Sequence, residues 1–361
     1  MKRIRLLLSC TPEYGGTYQY NLNILDAVTS FPQEHFEVVV HYMHQFWEKE
    51  LKPYSCIKVY TSTMDRLLED YPCDLWILPS QESLGYHKPA PVLSTIHDLM
   101  HRYEKRFPEV SANGEYESRE ESYQNICSYT KGVLVDSKVG KRHVQECYGL
   151  PDEQIFILPY IPPKYIYKYE AAPNFDDKYQ LPSKFIFYPA HFWQHKNHVG
   201  LLSTIALLKE ELPDLQLVLV GSKHNGYEKV LQYVKELNLE TNVHLIGHVP
   251  NQDVPEFYRR ARAMVMPTFF GPTNIPQLEA FVMGCPVATS SVYGIPEQVG
   301  DAALLFDPAS VNEIAHCVKR LWTEDKLCRS LVDKGEKHAV RWGEAQFNNR
   351  LLEIVEHLTT S

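Results

Sequence analysis

A chain of 361 residues with 44% hydrophobic content has room for two domains of ordinary size, each with its own core. Its net charge of −9 comes without any block of like charge, which argues against the basic face that nucleic acid needs and against a polybasic membrane anchor. No apolar run reaches the ~18 residues that span a bilayer, and the short one in MKRIRLLLSC leads into TPEYGG without a cleavage pattern, so it reads as a strand.

Along the first half, short β-prone runs alternate with helical patterns. Ile4 to Leu8 is a strand, and GGTYQYNLNILDAV follows as a helix with Tyr20, Ile24 and Val28 at helical spacing. FEVVV, CIKVY, DLWIL, PVLSTIH and GVLVDS are further strands, bounded by Pro, Gly, Asp or Ser. Glu115 to Tyr129 is polar and amphipathic, and Ser137 can cap a helix over Val139 to Cys147. Near 159–182 the chain is rich in Pro and Tyr and shows neither period, as an interdomain connection does.

The second half restarts the alternation more regularly. FIFYPA, LQLVLVG, NVHLIG, AMVMP, PVATS and ALLF are strands. Helices are predicted over His198 to Glu211, Gly226 to Leu237, Gln252 to Ala261, Ile275 to Met283 and from Ser310 toward Trp322. A last helix covers Trp342 to Leu358. Such alternation implies parallel sheets covered on both faces and wound in both directions, with ligands beyond the carboxyl ends of the strands. The domains are therefore 1–162, a linker at 163–182, and 183–341, with a closing helix in 342–361.

The eight cysteines, at 10, 56, 73, 127, 147, 285, 317 and 328, form no CxxC or zinc pattern. Most lie in apolar stretches, as reduced thiols of a cytosolic protein do. No DxD pattern suits a metal-held diphosphate; Asp176-Asp177 falls in the linker.

Four constellations sit where strands end. Gly15, Gly16 and Thr17 open the first helix, as a tight turn or as backbone donors for an anion. His97-Asp98 ends PVLSTI. Either His97 donates to a hydroxyl in a cleft, or Asp98 caps a turn and His97 satisfies buried backbone. Lys196 lies between FIFYPAHFWQ and a helix that Asn197 can cap, as a phosphate reader or a solvated lysine; His191 shares its loop. The fourth is FFGPTNIPQLEAFVMGCPV. Its loop is rich in backbone donors, and Pro276 fits a first helical turn. Glu279 points back toward the helix start, where it could accept two adjacent hydroxyls or merely complement the dipole.

Taken in order, these segments resemble glycosyltransferase family 4, with the GT-B fold, over essentially the whole chain. The strongest match is NIPQLEAFVMGCPVATSSVYGIPEQVGDAALLFDP. FYPAHFWQHKNHVGLL, LVLVGS, HLIGHVPNQDVPEFYRRARAMVMPT, STIHDL and GGTYQYNL support it. The resemblance implies two Rossmann-like domains facing a central cleft, an N-terminal acceptor domain, a C-terminal donor domain, and a last helix crossing back to the first domain. It implies that Lys196 holds the donor diphosphate, Glu279 the ribose hydroxyls, and Pro272, Thr273, Asn274 and Ile275 the phosphates and sugar. Gly16 would add its N–H, His97 would touch the donor sugar near its 6-hydroxyl, and Gly247, His248 and Val249 would pair a base edge.

Two departures stand out. The family usually carries two glutamates eight positions apart, and the first falls here on Gly271, so Thr273 or Asn274 must supply part of that acid's contact with the donor sugar. The arginine usual before the lysine is replaced by His191, preceded by Ala190.

The resemblance further implies retention of configuration without a metal or other cofactor. The donor would be a UDP-sugar, UDP-glucose being the first expectation, and the acceptor a saccharide or lipid-linked saccharide in polysaccharide biosynthesis. The site would be cytoplasmic, with weak peripheral contact at the inner face of the membrane. Competing readings are an epimerase or hydrolase of nucleotide sugars, a phosphorylase, and a protein that grips the donor without transferring it. Pro79 to Pro91 and His101 to Tyr123 are the expected acceptor lips.

Overall fold

The computed structural model describes residues 1–84, 89–170 and 173–360; part of the Pro79 to Pro91 lip and of the expected linker lies outside them. The chain forms two compact units. One comprises Met1–Tyr103, Ser111–Pro163 and Trp342–Ser361, the other Glu104–Val110 and Lys164–Arg341.

The first unit holds a seven-stranded sheet of β1 (Lys2–Leu8), β2 (Phe36–Tyr42), β3 (Ile57–Tyr60), β4 (Leu75–Leu78), β5 (Ala90–Thr95), β6 (Thr130–Val135) and β7 (Ile155–Ile157). The order is β3-β2-β1-β4-β5-β6-β7, with every pairing parallel. Central strands are buried on both faces, which is why LWIL and GVLV read as continuous apolar runs. The short strand β7, unassigned in the sequence, adds an edge.

The second unit repeats the plan with β8 (Ile186–Pro189), β9 (Leu217–Val220), β10 (Val243–Gly247), β11 (Ala263–Met266), β12 (Val287–Ser290) and β13 (Ala303–Phe306). Its order, β10-β9-β8-β11-β12-β13, is the same doubly wound pattern, and all its pairs are parallel. Both units are thus Rossmann-like, as the alternation predicts. In each, the strand order reverses beside the first strand, between β1 and β4 and between β8 and β11, so the loops after those strands flank the crevice where such sheets take ligands.

The closing helix, Glu344–Thr360, belongs to the first unit. Phe347, Leu351, Ile354, Val355 and Leu358 are buried in the same core as Ile4, Leu6, Ile24 and Val28, and the helix packs on Gly16–Thr29. Trp342 Nε1 donates to the Pro159 carbonyl at 3.1 Å.

Three segments differ from the sequence expectation. The stretch taken as a linker carries short helices at Lys164–Tyr167 and Phe175–Tyr179, whose Ile166 and Phe175 enter the second core. A helix over Asp325–Arg341 went unassigned because its charged sequence buries little beyond Cys328, Leu331 and Gly335. Residues 104–110, inside the expected first domain, pack with the second unit.

Candidate functional site

The loops flanking the reversal in the second sheet bring two expected residues together. After β8 the chain runs through the single 3-10 turn Gln194–Lys196 into the helix His198–Leu208. Asn197 caps that helix, accepting from Gly200 N at 3.1 Å, and its amide donates to the Pro308 carbonyl at 2.8 Å. The cap fixes where Lys196 leaves the backbone. After β11 the loop through Gly271–Asn274 leads into the helix Pro276–Val282, with Pro in its first turn.

Lys196 Nζ donates to Asn274 Oδ1 at 3.3 Å, which fixes the orientation of the amide. Asn274 is nine-tenths buried, and its Nδ2 has no partner among the described residues. Gln298 clamps the backbone of Asn274 from both sides, accepting from its N–H at 3.0 Å and donating to its carbonyl at 2.7 Å. A cationic amine and an unanswered amide N–H therefore stand side by side, a donor pair suited to an anion or a sugar hydroxyl. Gly271 explains itself here. Its φ is +144°, and a Cβ would lie 2.4 Å from Asn274 Nδ2, so Asn274 occupies the space where the family's first glutamate would start.

Glu279 is buried, not a surface acid. Its oxygens accept from the Tyr258 hydroxyl at 2.7 Å and the Tyr165 hydroxyl at 3.2 Å. Burial raises its pKa, and the two hydroxyl bonds oppose the rise. Carboxylate oxygens accept more than one bond each, so a diol can still be received beside the tyrosines.

His191 is a neutral donor rather than a cation. Burial lowers its pKa to about 4, helped by His224, Lys196 and His248. Its Nδ1 accepts from Ser222 N at 3.2 Å, so the proton sits on Nε2. Gly247, at φ +81°, ends β10, and its carbonyl is taken by Gly221 N at 2.9 Å. His248 is exposed, and Val249 is buried in the core.

In the first unit His97 is a satisfied histidine. Its Nε2 donates to the Pro79 carbonyl at 2.9 Å and its Nδ1 accepts from the Tyr160 hydroxyl at 2.8 Å, while burial lowers its pKa to about 4. Its ring N–H is thus already committed and its sites for taking a proton are occupied. Asp98 caps the turn, accepting from Met100 N at 2.8 Å, and pairs with Arg119 at 3.1 Å. Gly15, at φ +51°, sits at the N-terminus of Gly16–Thr29 without a side-chain cap, and Gly16 is exposed. That helix start keeps the features of an anion contact.

No local pattern in the sequence marks Tyr165, Tyr258 or Gln298. Tyr258 lies in the helix Val254–Arg260, where its aromatic type signals only core, and Tyr165 lies in the expected linker. Among the described residues no group of three or more His, Cys, Asp or Glu gathers as metal ligands, and no helix is long and apolar enough to cross a membrane.

Residues 173–338, within the second unit, match the family model described as Glycosyl transferases group 1. The chain is 29% identical over 279 residues to the O-antigen chain mannosyltransferase B of Escherichia coli, covering 71% of each. It is 26% identical over 168 residues to the serotype-specific mannosyltransferase WbdA of Escherichia coli, spanning only 21% of that longer protein. Its fold matches Anabaena Alr3699/HepE, solved in complex with UDP and glucose, at a TM-score of 0.76 and 15% identity, covering 99% of this chain and all of the other.

Proposed function

We propose that this chain, a transferase on the GT-B fold whose residues 173–338 resemble group 1 glycosyl transferases, retains anomeric configuration while moving a hexose from a nucleoside diphosphate sugar to a saccharide or lipid-linked saccharide acceptor. The second unit takes the donor and the first takes the acceptor. What supports this is the pairing of Lys196 Nζ with Asn274 beside the unanswered Nδ2, at the strand-order reversal of the second sheet.

In this reading Lys196 and Asn274 hold the diphosphate and the sugar. Glu279 receives the ribose hydroxyls. The first-turn N–H groups of the helix opened by Pro276 lie toward the phosphates, and His191 donates from Nε2. As the bond from the anomeric carbon to the diphosphate breaks, negative charge grows on the leaving oxygen, and the fixed donors stabilise it without reorganising. The acceptor oxygen bonds to the anomeric carbon on the same face. Its proton passes to a leaving-phosphate oxygen, which leaves His97 no proton to move. Neither a metal nor another cofactor is required. Detection of a glycosyl-enzyme adduct by mass spectrometry would contradict the front-face route.

Mannose is the preferred sugar, because the two Escherichia coli relatives described above are named mannosyltransferases. Glucose, the first expectation from the resemblance, is the second reading, favoured by the UDP and glucose bound to HepE. The test is calorimetric titration with EDTA present against UDP-glucose, UDP-galactose, UDP-N-acetylglucosamine and GDP-mannose. One of them should bind, and Lys196→Ala or Glu279→Ala should each weaken it by roughly 10–100-fold, the worth of hydrogen bonds to charged groups. Release of nucleoside diphosphate should then require a saccharide acceptor. No binding across the panel, or binding indifferent to both substitutions, sinks the proposal. Release without acceptor would favour a hydrolase.

A further inference from the structure

Residues 104–110 leave the first unit's sequence, pack on the second unit, and return. Their side chains meet the loops after four strands of the second sheet. Glu104 accepts from the Tyr293 hydroxyl at 3.0 Å, beyond β12. Arg106 lies 4.5 Å from the centre of the Phe269 ring, and Phe107 packs on the same ring, beyond β11. Glu109 reaches the loops after β8 and β9. Its Oε1 accepts from both His195 N, at 3.0 Å, and His195 Nδ1, at 2.7 Å; its Oε2 accepts from Asn225 Nδ2 at 2.8 Å.

The turn Gln194–Lys196 has no side-chain cap of its own. Its first N–H, from Gln194, goes to Asn225 Oδ1 at 3.1 Å, and its second, from His195, goes to Glu109. The next two, from Lys196 and Asn197, go to the Trp193 and Gln194 carbonyls, each at 3.1 Å. Glu109 and the asparagine it holds therefore supply both acceptors that the turn lacks. The same turn also carries the second loop, because the His195 carbonyl accepts from Phe269 N at 2.8 Å.

We propose that Glu109 is a positioning residue of the donor site. By capping the turn Gln194–Lys196 from the inserted segment 104–110, it fixes the backbone from which Lys196 reaches the diphosphate. Burial works against its charge, yet the bonds from His195 and Asn225 hold its carboxyl at about 2, so it stays ionised throughout the working range. The proposal rests on the donor-site reading of Lys196.

The test is titration of the full chain with UDP and with GDP, in Glu109→Gln, Glu109→Ala, Lys196→Ala and the double variant Glu109→Ala/Lys196→Ala, with thermal melting to follow folding. Glu109→Ala should weaken the tighter of the two nucleotides about tenfold, and Glu109→Gln, which keeps an oxygen for His195 N–H, should recover most of the loss. Because the effect runs through Lys196, Glu109→Ala should cost little further affinity once Lys196 is alanine. A loss undiminished in the Lys196→Ala background would overturn the proposal. So would Glu109→Ala binding like the parent while Lys196→Ala binds weakly. If Lys196→Ala itself binds like the parent, the donor-site reading fails and the proposal with it. Should Glu109→Ala not fold, Asn225→Ala, which removes the acceptor of the Gln194 N–H and a partner of Glu109, should weaken nucleotide binding in the parent and cost little further in the Lys196→Ala background; an equal loss in both would overturn the proposal.

Discussion

Position 271 gives a sharp test of how the donor loop is organised. Gly271→Ala places a Cβ 2.4 Å from Asn274 Nδ2 and 2.8 Å from its Oδ1, at a φ of +144°. Holding a non-glycine residue in such a region costs about 1–3 kcal/mol. Relieving the overlap must move the Asn274 amide, which breaks the 3.3 Å bond from Lys196 Nζ, worth about 1.5–3 kcal/mol for a charged donor. Gln298 still holds the Asn274 backbone, so the loop shifts its side chains before it rearranges. Part of the cost falls on folding and part on the ligand. The expected result is a melting temperature lower by a few degrees, at about 2–4 °C per kcal/mol for a unit of this size. Nucleotide-sugar affinity should fall roughly 10–100-fold in calorimetric titration, or ~1.4–2.7 kcal/mol. Gly271→Glu, which restores the acid of the resembling family, should be at least as damaging. If Gly271→Ala binds like the parent, or Gly271→Glu binds more tightly, the loop is not organised around Asn274 and the reasoning fails.

Two further outcomes follow from the packing and the ionisation. Ending the chain at Arg341 exposes the pocket that buries Phe347, Leu351, Ile354, Val355 and Leu358. At ~1.5–3 kcal/mol per side chain this removes an upper bound of about 8–15 kcal/mol, comparable with the ~5–15 kcal/mol net stability of a domain. The first unit should lose its cooperative transition in circular dichroism, and a truncated chain that melts like the parent would refute the role of the helix. For pH, burial lowers His97 and His191 to about 4 and His198 to about 3. An unfolded chain takes up those protons below ~6.5, whereas the folded chain resists until near 4. Their contribution is thus fully present above ~6.5 and is lost as pH falls toward 4. His41 and His143, also lowered to about 4 by burial, act in the same sense, while Glu82 and Glu279, both raised by burial, act in the opposite sense as pH rises past the ordinary carboxylate range and are outnumbered. Melting temperature should decline from pH 7 to 5; a flat or rising profile would show that these histidines are solvated.

Periodicity and strand endings alone carried the two Rossmann-like units, because parallel strands buried on both faces must be apolar throughout and the helices between them must be amphipathic. The same logic put Lys196 and Glu279 after strands, since only loops at the carboxyl ends can reach a ligand. Sequence could not show that Asn274 stands in the place of the missing glutamate. That depends on a glycine at φ +144° folding the loop back on itself, so that the Asn274 amide fills the space a Cβ at 271 would need. Nor could it show that His97 is spent on Pro79 and Tyr160, because both partners come from other elements and meet it only when the sheet is assembled. The helix over Asp325–Arg341 escapes the sequence reading because its apolar stripe is thin, with Cys328 and Leu331 as its large buried side chains among many charged neighbours. Glu109 was one acid in a polar run, and nothing local separates it from its neighbours. Its carboxylate gained a purpose only when residues 104–110 were laid against the second unit, 86 positions from His195, where an uncapped turn needed an acceptor. Local chemistry fixes which elements form; the partners of a buried polar group are decided by the fold that desolvates it.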